Sequence, residues 1–310
     1  MTSLEVAERP SNVELERTPP VLILSNRGLL YTAWTVVLLL TLPEIILRAF
    51  AGLDTSWMLP ARIVLLSAAF ALSGVSPTVR PLRGMLTIFL VIYAVEAGFF
   101  LTALPQTQVY HAVFGRDANL AFFGERLLRI GAVLVMLLVL VRMGFKRRDV
   151  YLAVGDLRAI AEPMRIPSKP EPWTKFGRNY AVISVGLLLA FLIPALQPSL
   201  GELSIGLVAF AAICAAMNSF AEEFLYRAAL IPQVLPLFGK RSTLLLLPVW
   251  FGLAHWFGVP SGLTGVILAA IGAWFFTRAM IETRGIAWAW FLHFLADFTV
   301  YLVLFLAAGL

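Results

Sequence analysis

The sequence predicts an all-α, polytopic integral membrane helical bundle of eight or nine transmembrane segments, and three observations carry that prediction. Sixty per cent of the 310 residues are hydrophobic and 14% are charged, against roughly 45–50% and about 25% in an ordinary soluble domain. The mean hydropathy is +0.87. Apolar runs of about 17–25 residues, the length of a bilayer-crossing helix, recur along the chain. Inside lipid such runs must satisfy their own backbone, which helices do, and the strict alternation of a membrane β-barrel is absent.

Taken in order, residues 1–26 carry Glu5, Glu8, Glu14 and Glu16 with Pro10, Pro19 and Pro20. They read as a disordered cytoplasmic tail rather than a cleavable leader. Apolar runs at 28–50, 61–79, 84–104 and 127–145 make a four-span N-terminal membrane region over residues 27–145. A basic cytoplasmic loop follows at 146–178. Its stretch from Asp149 to Glu162 has amphipathic character and precedes a Pro-rich segment, a composition suited to an anionic membrane surface. Runs at 179–197, 203–235, 243–258, 263–280 and 286–308 make the C-terminal region, 179–310. The sixth run exceeds one crossing. It is expected either to bend near Asn218 or to pass into a short re-entrant helix carrying Glu222 to Arg227.

The net charge of +6 is no nucleic-acid signal, because the basic residues cluster between apolar runs. With a cytoplasmic N-terminus, 18 of the 24 lysines and arginines fall on the cytoplasmic side. Five (Arg48, Arg62, Arg116, Arg126 and Arg129) fall opposite, and Arg227 is intramembrane. That bias fits nine spans under the positive-inside rule, and the compact loops point to a prokaryotic plasma membrane. The single cysteine, Cys214, sits in an apolar run and reads as a small core residue.

Function is concentrated late in the chain. Glu222-Glu223-Phe-Leu-Tyr-Arg227, Phe251-Gly-Leu-Ala-His255 and His293-Phe-Leu-Ala-Asp297 place ionisable groups inside apolar segments. A charge at the bilayer centre costs about 2.5–3.5 kcal/mol, so four independent charges there would cost on the order of 10 kcal/mol. They must therefore face one another. Glu223 and Arg227, four apart, pair on one helix face. Glu222, turned by about 100°, lines up with Asn218 and lacks a cation on its own helix, which suits a general base. Asp297 shares a face with His293 and is placed to hold its ring in one tautomer. Glu44 and Glu96 are further intramembrane carboxylates; Glu96 has no evident partner.

The sequence lacks a His-Glu-x-x-His zinc helix and a Gly-x-Ser-x-Gly nucleophile elbow. What remains is water, a glutamate and two histidines from three helices. Glu-Glu-x-x-x-Arg, then Phe-x-x-x-His, then His-x-x-x-Asp on successive membrane helices resembles the CAAX-protease and bacteriocin-processing family, which includes the type II CAAX prenyl endopeptidases. The resemblance covers roughly residues 178–305. It implies an intramembrane endopeptidase in which Glu222 activates water, His255 assists, and His293 with Asp297 stabilises the oxyanion or positions the other groups. Glu223, Arg227 and Asn218 support them. It implies a membrane-associated or prenylated peptide substrate and no firmly bound cofactor. Ala228 and Asp297 depart from relatives that have glycine and asparagine there. An ionised aspartate, unlike asparagine, cannot donate to an oxyanion, so Asp297 is expected to act through His293.

Three rivals remain open at this level. One is metal-assisted hydrolysis, with zinc or another divalent ion on Glu222, His255 and His293. A second is a non-enzymatic immunity or binding protein of the same fold. The third is a proton path through Glu96, Glu222 and Asp297.

Overall fold

The computed structural model describes residues 27–164 and 169–308. The tail expected over 1–26 and residues 165–168 of the Pro-rich stretch lie outside them. The described chain is a polytopic helical membrane bundle. Eight helical segments are long and apolar enough to cross a membrane: α1 (Arg27–Phe50), α2 (Met58–Val75), α3 (Arg80–Gln106), α5 (Trp173–Leu196), α6 (Ile205–Ala228), α7 (Ile231–Ala254), α8 (Gly262–Thr283) and α9 (Ala287–Ala308). A further long helix, α4 (Ala118–Arg142), carries Glu125, Arg126 and Arg129 in otherwise apolar sequence.

Caps explain where several helices start. The Asp117 side chain accepts from the amide of Leu120 at 2.8 Å, so α4 begins nine residues before the expected run at 127. Ser204 accepts from the amide of Leu207 at 3.1 Å and starts α6. These side-chain oxygens satisfy amides that have no intrahelical acceptor. Helix α5 starts at Trp173, six residues before the expected 179.

The long sixth run behaves differently from both expectations. Asn218 lies within regular helix, and no bend occurs there. Instead Phe224–Ala228 widens into a π-helical turn, and a new helix begins at Ile231. That helix breaks at Gly239, where φ is 74° and ψ is 170°, a conformation glycine adopts without steric cost. The chain therefore turns after the Glu222–Arg227 motif rather than within it.

In the core, α6 packs along α9 and α7 along α8. Helix α4 bridges α3 to α6, while α5 lies against α9. The loop between α4 and α5 is docked rather than free. Its Asp149–Glu162 stretch is no amphipathic helix but a series of turns, followed by Ile160–Ala161 paired antiparallel with Glu171–Pro172. The amide of Asp156 donates to the carbonyl of Thr283 at 2.7 Å, and that of Ile286 to Ala153 at 2.9 Å. Glu282 ties the region together. It accepts from Trp173 Nε1 at 2.9 Å, Lys240 Nζ at 2.9 Å and Arg278 Nε at 2.8 Å. One carboxylate thereby ties the start of α5, the break in α7 and the end of α8 together.

Candidate active site

The site forms where α6, the C-terminal end of α7 and α9 meet, with α3 and α4 behind it. Helical spacing on α6 gives the first two contacts. Glu223 Oε1 accepts from Arg227 Nη1 at 2.5 Å, and Glu222 Oε1 accepts from Asn218 Nδ2 at 3.2 Å, each pair four residues apart. The two carboxylates thus open on different faces of one helix, as expected from their adjacency.

Tertiary packing adds the rest. His293 on α9 is buried, and its Nδ1 lies 2.7 Å from Glu223 Oε1. An ionised carboxylate only accepts, so Nδ1 carries the hydrogen and Nε2 is left to face the other carboxylates. Nε2 stands 3.7 Å from Glu222 Oε2 and 3.5 Å from Asp297 Oδ1. Glu223, from another helix, thus holds Nδ1 of His293, while Asp297, one turn along its own helix, faces Nε2. Asp297 is held instead by Asn218, whose Nδ2 donates to Asp297 Oδ2 at 3.0 Å. Asn218 spends its amide on two carboxylates and ties α6 to α9.

His255 occupies the position just after α7 rather than a place inside the helix, because the backbone leaves helical geometry there. Its Nδ1 lies 2.8 Å from the carbonyl of Phe251. A carbonyl accepts, so Nδ1 is the protonated nitrogen and Nε2 is an acceptor in the neutral ring. His255 is close enough to Glu222 and His293 for their charges to interact. Phe251 is the shared wall. Its ring centroid is 4.2 Å from that of His255, 6.1 Å from His293, and 4.1 Å from the guanidinium carbon of Arg227. The ring of Phe276 stacks on His293 at 4.9 Å. Two aromatic faces and a carboxylate thus hold Arg227, and the histidines stand on either side of one phenylalanine.

Among the described residues, no three histidine, cysteine, aspartate or glutamate side chains are grouped so that they could hold a metal ion. His293 Nδ1 is committed to Glu223, and its Nε2 lies 3.7 Å from the nearest Glu222 oxygen.

Two residues that sequence reasoning left apart from the site belong to it. Arg129 on α4 lies inside the bundle, not in a loop, with Nη1 3.6 Å from Glu222 Oε1. Glu96 on the π-helical stretch of α3 has the partners it seemed to lack: its Oε1 accepts from Arg129 at 3.0 Å and from the Tyr226 hydroxyl at 2.6 Å. The signal was the cost of three charges in the apolar run from 118 to 142. A run expected from 127 hides it, because Arg126 then falls just before the span and Arg129 at its edge, where both count with the non-cytoplasmic connection. His111, the third histidine, lies far along the chain on a short helix, Gln108–Phe114, and joins none of the site contacts described above.

Residues 204–299 match the family model for the type II CAAX prenyl endopeptidase Rce1-like proteins. This segment is similar to an Rce1-like domain. It spans 96 of the 310 residues and contains Asn218, Glu222, Glu223, Arg227, His255, His293 and Asp297. No curated protein and no solved structure matches the chain. The match starts at α6, so Arg129, with Glu96 behind it, approaches Glu222 from outside the matched residues.

Proposed function

We propose that this chain is an intramembrane endopeptidase that hydrolyses a peptide bond with a water activated by Glu222. The observation that carries the reading is the pairing of Glu222 Oε2 with His293 Nε2 at 3.7 Å, in a buried cluster within the Rce1-like segment. A water making ordinary hydrogen bonds of about 2.8 Å reaches both atoms at that separation. Oε1 of Glu222 is anchored by Asn218, so Oε2 is the oxygen free to take a proton.

In the proposed reaction Oε2 removes a proton as the water oxygen bonds to the carbonyl carbon. His255 Nε2, as an acceptor, holds the second hydrogen of the same water. The carbonyl oxygen gains negative charge and is stabilised by His293 in its imidazolium form, whose Nε2–H donates to it while Nδ1–H stays on Glu223. Collapse breaks the C–N bond, and the proton on Glu222 passes to the leaving nitrogen. Products are a carboxylate and an amine.

The substrate in this reading is a membrane-associated or lipid-modified protein. A groove of about 510 Å³ supports it: Leu157, Ala216, Trp288, Trp290, Phe291 and Phe294 line it, one step round α9 from His293. The basic loop at 146–178 and the bias of the remaining arginines and lysines support a cytoplasmic N-terminus in a prokaryotic plasma membrane. Arg126 and Arg129 now count as interior, which strengthens that bias.

The test compares new protein termini in native membranes by mass spectrometry, wild type against Glu222→Gln at matched expression. Termini that vanish in the variant identify the cleaved bonds. An unchanged set, with the biological effect of the protein intact in both, would replace catalysis by the non-enzymatic binding reading.

A further inference from the structure

A single nitrogen, Nη1 of Arg129, stands 3.0 Å from Glu96 Oε1, 3.2 Å from the Tyr226 hydroxyl oxygen and 3.6 Å from Glu222 Oε1. These three partners come from α3 and α6, so the guanidinium is the point where three helices meet. Glu96 is nearly fully buried, and its second oxygen has no partner. Placing that carboxylate in the bundle is expensive, and nothing in the reaction proposed above uses it. The Tyr226 hydroxyl donates to the same Glu96 oxygen at 2.6 Å. Glu96 is thus fixed from two sides, and in turn it fixes Arg129.

The consequence falls on Glu222. Its Oε1 faces the only arginine that reaches it from another helix among the described contacts, while Oε2 faces His293. Resting on the peptidase reading, we infer that Arg129, held by Glu96, is a positioning residue that keeps Glu222 turned with Oε2 toward the water. The four-span N-terminal region, 27–145, thereby contributes directly to a site whose family match begins only at residue 204. Arg129 holds Oε1 from 3.6 Å on the side away from Oε2, and acts on the water only through Glu222. Lysine at this position would supply the charge but not the planar fork, which separates charge from geometry.

The test uses full-length protein in proteoliposomes. The probe is a synthetic peptide spanning a cleavage site that depends on Glu222, taken from the terminus comparison. Arg129→Gln is expected to lower kcat by roughly 10- to 100-fold, the range for losing an interaction with a charged group, with KM within about twofold. Arg129→Lys should recover most of that loss. Glu96→Gln, which keeps the shape but frees Arg129, should lower kcat by about three- to tenfold and stands in if Arg129→Gln does not fold. Undiminished kcat in Arg129→Gln, or in Glu96→Gln where it stands in, overturns this inference alone. The same holds for a loss that appears only in KM. Absence of any cleavage in wild type that Glu222→Gln abolishes overturns the peptidase reading and this inference with it.

Discussion

Glu223 Oε1 and His293 Nδ1 lie 2.7 Å apart across the α6–α9 contact, and the same glutamate oxygen also holds Arg227 at 2.5 Å. Glu223 therefore does two jobs at once: it neutralises the arginine of its own helix and fixes the ring of a histidine on another. Glu223→Gln can present an amide nitrogen or oxygen to the ring and so no longer holds Nδ1–H and the ring orientation that points Nε2 into the site. Turnover of a Glu222-dependent cleavage should fall by about 10- to 100-fold, the usual effect of losing a ring-orienting partner. Steady-state kinetics at matched folded protein would show it, and a loss under twofold would mean that Arg227 or Asp297 can orient the ring instead.

Asn218 spends its amide on Glu222 Oε1 at 3.2 Å and Asp297 Oδ2 at 3.0 Å. Asn218→Asp replaces a donor by a third carboxylate facing two others, whereas Asn218→Ala only removes the donor. The aspartate variant should be the less active of the two at neutral pH, by about tenfold or more, because like charges in a buried site repel strongly. Equal activities would show that the amide matters only as a spacer.

The absence of a three-residue ligand grouping among the described residues leads to a direct expectation. Cleavage should survive dialysis against a strong chelator, and purified protein should contain metal well below one ion per chain. Stoichiometric metal together with activity lost on chelation and restored by zinc would establish the metal-assisted route.

The docking of the α4–α5 loop gives a prediction about stability. Gly155 has φ of +80°, and a Cβ there would meet the carbonyl oxygen of Thr283 at 2.5 Å and the backbone of Gly285 at 2.8 Å. Gly155→Ala should destabilise the fold by about 1–3 kcal/mol, the usual cost of left-handed strain, and lower the melting temperature in detergent. An unchanged melting curve would mean that the loop shifts away from the α8–α9 junction without consequence.

How much of this was legible in the chain depends on the range of the interaction. The bundle class, the motif positions and the pairs Glu223–Arg227 and Asn218–Glu222 follow from composition and from the helical repeat, because residues four apart on one helix are neighbours wherever that helix goes. The contacts from Glu223 to His293, Asn218 to Asp297 and Arg129 to Glu222 depend on how α4, α6 and α9 are rotated and shifted against one another. No local spacing encodes those rotations. They are set by the packing of α6 along α9 and of α4 between α3 and α6, and by π-helical turns in α3 and α6 that change which face each following side chain presents. The sequence by itself determined that these charges must find partners inside the membrane; which partners they found was decided by packing, since a buried charge takes the nearest opposite group that the helix arrangement brings within reach.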